Sequence, residues 1–195
     1  MLRQSLTMLP AQRKLYQAKL GMYLFLAGLV LIFFTALLGY SVVRRIASVP
    51  GAELTLPSAF LPGLAGLVAI SGGLHWAVHA VHRERVNDFR LGLAAAWLGA
   101  LVFFTSQVYG MEALLEEHWR SSEREIRVFG FAFFLAALHA AHVVGGLGLL
   151  IWVTVQAIRG CYDHEYHWPV DICGTYWHFL DVIWIVMLAT FWIVR

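Results

Sequence analysis

The run Leu20–Val43, LGMYLFLAGLVLIFFTALLGYSVV, decides how this chain folds. Its 24 residues include no acid, lysine or arginine. The hydrocarbon core of a bilayer is about 30 Å thick and takes about 20 apolar residues to cross as an α-helix. In lipid every peptide N–H and C=O must be satisfied within the protein, so an apolar run of this length is a helix. Four further runs of the same kind follow, from about Ser58 to Val81, Leu91 to Tyr109, Val128 to Ala157 and Val170 to Val194. The fourth is long enough to tilt or to protrude. The reading is all-α: an integral membrane bundle of five transmembrane helices. Residues 1–19 form a cytoplasmic N-terminal tail, and residues 20–195 form the five-helix domain.

Composition agrees. The 195 residues are 60% hydrophobic and 13% charged, where a soluble domain has about 45–50% and about 25%. A net charge of +2 builds no basic field for nucleic acid. The first run exceeds the 7–15 residues of a signal-peptide core and has no small-residue cleavage site after it, so it is expected to stay. Cys161 and Cys173 are expected to be free thiols near a membrane surface.

Helix-start signals sit where the runs begin. Pro57 and Pro62 fall at the first turn of the second span, where proline is tolerated. Ser122 and Glu125 make an S-x-x-E capping box before the fourth. Pro169 and Asp171 open the fifth, with the acid suited to a helix N-terminus. Lys and Arg in short loops set orientation. Arg3, Arg13, Lys14, Lys19, Arg83, Arg85, Arg90 and Arg159 fall on one side, eight against six on the other. The six are accompanied by six acids. This places the N-terminus in the cytoplasm and the C-terminus outside.

Polar groups within the spans are the candidate functional residues, because an ionisable group at mid-membrane costs about 2.5–3.5 kcal/mol and needs a partner. Asp181 is the one acid deep in a span, with His178 and Trp177 three and four residues before it and Tyr176 one further. The second helix carries His75, His79 and His82 in a stripe that Ser71 extends. The fourth carries His139 and His142, the third ends near Gln107, and the last loop holds His164, Glu165 and His167. Paired histidines on one helix face suit a metal or a haem. They equally suit hydrogen bonds between helices. On the second reading His75, His79, Gln107, His139, His142, Glu165, Tyr176, Trp177, His178 and Asp181 form a structural polar core, with Asp181 a static partner for His178 or Trp177. Ala65, Ala69 and Gly73, and likewise Ala137, Ala141 and Gly145, repeat at helix-packing spacing. The sequence contains no P-loop, G-x-S-x-G, H-E-x-x-H or C-x-x-C motif.

The run Tyr176-Trp177-His178-Phe179-Leu180-Asp181-Val182-Ile183-Trp184 resembles the Y-W-H-F-V-D-V-V-W stretch of subunit III of the haem-copper oxidases. Lesser matches follow in order: Leu20-Gly21-Met22-Tyr23-Leu24-Phe25, Leu56-Pro57-Ser58, His75-Trp76-Ala77, Gln107-Val108-Tyr109 and Leu138-His139-Ala140-Ala141-His142-Val143. The loop from Tyr162 to His167 is similar to the family's histidine-bearing loop, with Glu165 near an acidic position. The resemblance covers roughly residues 18 to 195 and is to the short, five-helix bacterial form. It implies a noncatalytic accessory subunit of a respiratory terminal oxidase, packed on catalytic subunit I beside other oxidase subunits. Such a subunit holds phospholipid and supports proton uptake and stability during aerobic electron transport. It implies no cofactor or metal in this chain, haem and copper being in partner subunits, and a bacterial inner (cytoplasmic) membrane location. Two positions depart from the family pattern: Leu29 and Gly110 stand where acids are usual. The partner complex could be a cytochrome c oxidase, a quinol oxidase or a nitric oxide reductase. The residues by themselves also admit a di-histidine b-type cytochrome, or a small transporter with Asp181 as its proton site.

Overall fold

The computed structural model describes residues 10–47, 60–120, 123–162 and 167–194. They form five helices: α1 Pro10–Ala47, α2 Leu61–His82, α3 Val86–Arg120, α4 Glu123–Ile158 and α5 Trp168–Ile193. All five contain a stretch long and apolar enough to cross a membrane. Several helices outrun the apolar segments read from sequence. The α1 helix begins ten residues before Leu20, within the segment read as a tail, and α3 continues past Tyr109 to Arg120. The peptide hydrogen bonds of a helix, once nucleated, extend it past the point where side chains turn polar.

Turn chemistry reverses the chain between spans. After α4, Gly160 adopts φ +69°. Cys161 N–H donates to Gln156 C=O at 3.1 Å and Gly160 N–H to Ala157 C=O at 3.1 Å, the paired bonds of a Schellman cap. After α2 the same pattern recurs with Glu84 at φ 56° and Arg85 N–H on Ala80 C=O at 3.0 Å. Pro62 lies in the first turn of α2, and Pro169 and Asp171 in that of α5. Pro57 and Ser122 lie outside the described residues.

The α2–α5 helices close a ring in which each packs on the next and α5 returns to α2. The α1 helix lies outside, against α4 and α5, and meets neither α2 nor α3 among the described residues. The tightest seam is α2 on α3. A Cβ added to Gly73 would lie 2.6 Å from Ala96 N, one on Gly66 2.7 Å from Phe103 N, one on Gly99 2.7 Å from Ile70 N, and one on Gly92 2.7 Å from Ala77 N. Backbone meets backbone at all four, so only hydrogen fits. The stripe Ala65, Ala69 and Gly73 read from sequence meets this seam at Gly73 and, through its Cβ, at Ala69. Ala65 is exposed, with Gly66 and Gly73 facing α3; on α4 Ala141 is exposed, and a Cβ on Gly145 would meet the Tyr176 hydroxyl of α5 at 3.5 Å. Phe33, Phe103, Trp177, Trp184 and Met187 fill the middle of the bundle.

Candidate functional site

At mid-height of the bundle α2 and α5 are joined by a three-residue chain that runs from buried Asp181 through half-buried Ser71 to exposed His178. Asp181 is 8% exposed and its Oδ2 accepts the Ser71 hydroxyl. The Ser71 Oγ also lies 2.9 Å from His178 Nδ1. A hydroxyl has a single proton. While Ser71 donates it to the carboxylate, its Oγ can only accept at the other contact, which the Nδ1–H tautomer of His178 satisfies. The order is His178 N–H to Ser71 O–H to Asp181. The sequence reading paired Asp181 with His178 or Trp177 directly. The structure interposes Ser71, and the indole N–H of Trp177 is buried with no hydrogen-bond partner. Trp177 is four residues before Asp181 but its ring turns toward Gly146 of α4.

A second link joins α5 to α4: Tyr176 O–H donates to His142 C=O at 3.0 Å. The imidazole of His142 turns back on its own helix, with Nδ1 2.8 Å from Leu138 C=O, and its ring meets Phe33 of α1 edge-on at 5.5 Å. A third link, Trp97 N–H to Thr154 Oγ1 at 3.0 Å, ties α3 to α4.

His139 is fully buried and enclosed by rings. Trp184 stacks on it at 5.0 Å and 24°. Phe103 and Phe33 meet it edge-on at 6.1 and 6.4 Å. Neither imidazole nitrogen has a hydrogen-bond partner, so this histidine packs as an aromatic group and makes no polar link between helices. Phe60 also leans on Trp184, at 5.3 Å. Its ring occupies the space beside Gly110, where any Cβ would collide with it. That packing accounts for a glycine where the family pattern has an acid. Leu29, at the other such position, is buried.

His75 and His79 stack on each other at 5.9 Å and lie exposed on α2, with His75 one turn beyond Ser71 and near His178. Gln107 is buried with both amide atoms unpartnered. Glu165 and His164 lie outside the described residues. Cys161 is exposed and Cys173 buried, both free. Sequence reasoning placed Ser71 on the histidine stripe but missed its role as the bridge. It gave no sign of Trp97 with Thr154, nor of the rings around His139, because those partners come from different helices.

Fold and site together define a multi-pass helical membrane protein whose buried polar and aromatic groups hold span to span. The sequence model of the cytochrome c oxidase subunit III family matches residues 15–194, and the chain belongs to that family. Cytochrome c oxidase subunit 3 of Arabidopsis thaliana is 32% identical over 133 residues, 67% of this chain and 48% of that protein. The Thermostichus vulcanus protein of the same name is 26% identical over 185 residues, 89% of this chain and 86% of its own. A probable cytochrome c oxidase subunit 3 of Mycobacterium bovis is 28% identical over 147 residues, covering 75% and 70%. Relatives thus differ in length: this chain spans about half of the plant protein and most of the Thermostichus one.

Proposed function

We propose that this chain is a noncatalytic accessory subunit of a haem-copper terminal oxidase, packed on the catalytic subunit in a bacterial inner membrane with its N-terminus in the cytoplasm. The observation that carries the reading is the family match, which extends over all five spans. The site chemistry supports it. The Ser71–Asp181 and Tyr176–His142 links are internal ties between helices, and the ring-enclosed His139 is a packing residue. Haem and copper belong to partner subunits on this reading, and the subunit's part is durability and support of proton uptake.

Lipid fits the same role. A groove of about 900 Å³ runs along α3 and α4, lined by Leu93, Trp97, Leu98, Leu101 and Ile158, with Arg90 among its walls. The apolar length suits an acyl chain, and a cationic side chain at a helix start attracts an anionic headgroup.

The test is purification of the chain in mild detergent with its native neighbours. A haem-copper catalytic subunit is expected to co-purify with it. Repeated isolation without one refutes the reading. Identification of that neighbour also separates a cytochrome c oxidase from a quinol oxidase or a nitric oxide reductase.

A further inference from the structure

At the end of the bundle nearest the N-terminus of α1, three metal-ligating side chains converge from two helices. His82 is the last residue of α2, His167 precedes α5, and Asp171 stands in the first turn of α5. His82 Nε2 lies 3.5 Å from Asp171 Oδ1, and His167 Nε2 lies 3.6 Å from Asp171 Oδ2. One donor atom from each of the three lies within 4.8 Å of the other two. The two imidazole rings are 3.9 Å apart at their centroids.

These separations are long for direct hydrogen bonds, which run about 2.7–3.2 Å. Each runs to a different oxygen of the carboxylate, and each is close to the edge of a tetrahedron of ligands around zinc, about 3.3–3.6 Å for bonds of about 2.0–2.2 Å; the three donor atoms together span 4.8 Å or less, so small side-chain movements bring them onto one ion. Two imidazoles at van der Waals contact with one carboxylate between them form a donor set of borderline softness, which suits zinc and similar divalent ions. The helix ends fix the geometry. His167 and Asp171 are one turn apart, and α2 packs on α5, which brings His82 to them.

We propose that His82, His167 and Asp171 bind a divalent transition metal ion of the zinc type at the membrane surface, with water completing the tetrahedron. The ion staples the C-terminus of α2 to the N-terminus of α5. It holds the same helix pair that Ser71 and Asp181 join at mid-bundle. The site lies outside the polar chain and has no part in the accessory role proposed above, so failure of one leaves the other standing.

The test uses the full chain, without an affinity tag, and Zn²⁺ alone. Titration against a chromophoric chelator is expected to show one Zn²⁺ per chain, and Zn²⁺ is expected to raise the melting temperature until chelator removes it. His82→Gln, on an exposed helix end, and Asp171→Asn should each weaken binding by about tenfold or more. His75→Ala combined with His79→Ala should leave binding unchanged. Co²⁺ in the same site should give the absorption of a tetrahedral complex, lost in His82→Gln. Absence of Zn²⁺ uptake by the parent chain, or uptake undiminished in both His82→Gln and Asp171→Asn, overturns the proposal. So does uptake that depends on His75 and His79.

Discussion

A single hydroxyl decides how Asp181 is tolerated at mid-membrane. Ser71 gives its proton to the carboxylate and receives one from His178, so one small side chain on α2 serves two polar groups on α5. Ser71→Ala removes the donor but leaves the acid buried. The expected loss is about 1–3 kcal/mol, the cost of an unsatisfied buried group. Asp181→Asn keeps an oxygen to accept from Ser71 and should lose less. Replacing both partners, Ser71→Ala with Asp181→Leu, should recover part of the loss, since no polar group is then stranded. Thermal melts in detergent of the parent, Ser71→Ala, Asp181→Leu and the double variant form the cycle, and a Ser71→Ala chain as stable as its parent contradicts the assignment. Asp181 itself was legible in the sequence, because a lone deep acid has to be paired. Its partner was not, because Ser71 lies 110 positions away on another helix and a serine in a membrane span is cheap enough to need no explanation. Gly110 shows the converse. An acid restored there, Gly110→Glu, must drive Phe60 off Trp184, and should lower the melting temperature. Phe60→Ala should relieve that penalty in the double variant. Equal stability of Gly110→Glu with and without Phe60→Ala would show that the ring does not set the residue.

Between elements, the α2–α3 seam brings backbone against backbone at Gly66, Gly73, Gly92 and Gly99. Gly66 and Gly73 face Gly99 and Gly92, seven residues apart on each helix, the repeat that keeps a seam aligned in left-handed crossings. Gly73→Ala places its methyl 2.6 Å from the Ala96 nitrogen. Backbone cannot yield as a side chain does, so α2 must move outward, at about 1–3 kcal/mol. Gly72→Ala, one residue away, meets nothing within 4 Å and should be neutral or more stable by about 0.5–1 kcal/mol through helix propensity. Melting temperatures of the two variants test the seam, and equal effects would refute it. Five helices were readable from apolar length alone, since lipid admits no other spanning structure for such runs. Which face of each helix turns inward was not. These spans are apolar on all sides, so no stripe of polar residues marks the outer surface. The four-residue stripes therefore marked the seams only in part: Gly73 does the packing and Ala69 reaches Gly99, while Ala65 is exposed and Gly66, outside the stripe, carries the rest of the contact.

At the scale of the whole molecule, the ends of the helices determine what each side of the membrane sees. The α1 helix starts on one side, and every other span alternates. The α2–α3 turn at Arg83–Arg85, the α4 cap at Gly160 and the start of α5 at Trp168 therefore share the side of the N-terminus. Exposed Cys161 lies there, directly after that cap, while Cys173 is buried inside α5. The two thiols make the chain its own orientation probe, because alkylation requires an accessible thiolate. If the eight basic residues of that side hold it in the cytoplasm, a membrane-impermeant maleimide should label inverted vesicles and leave intact spheroplasts unlabelled. Cys161→Ser should abolish the signal, and Cys173→Ser should leave it unchanged. Labelling of intact spheroplasts at Cys161 would place the N-terminus outside. It would also turn the His82–His167–Asp171 cluster, on the same end of the bundle, toward the outer medium. The five spans and their packing would be unaffected, since they depend on apolar length and on the α2–α3 glycines rather than on loop charge.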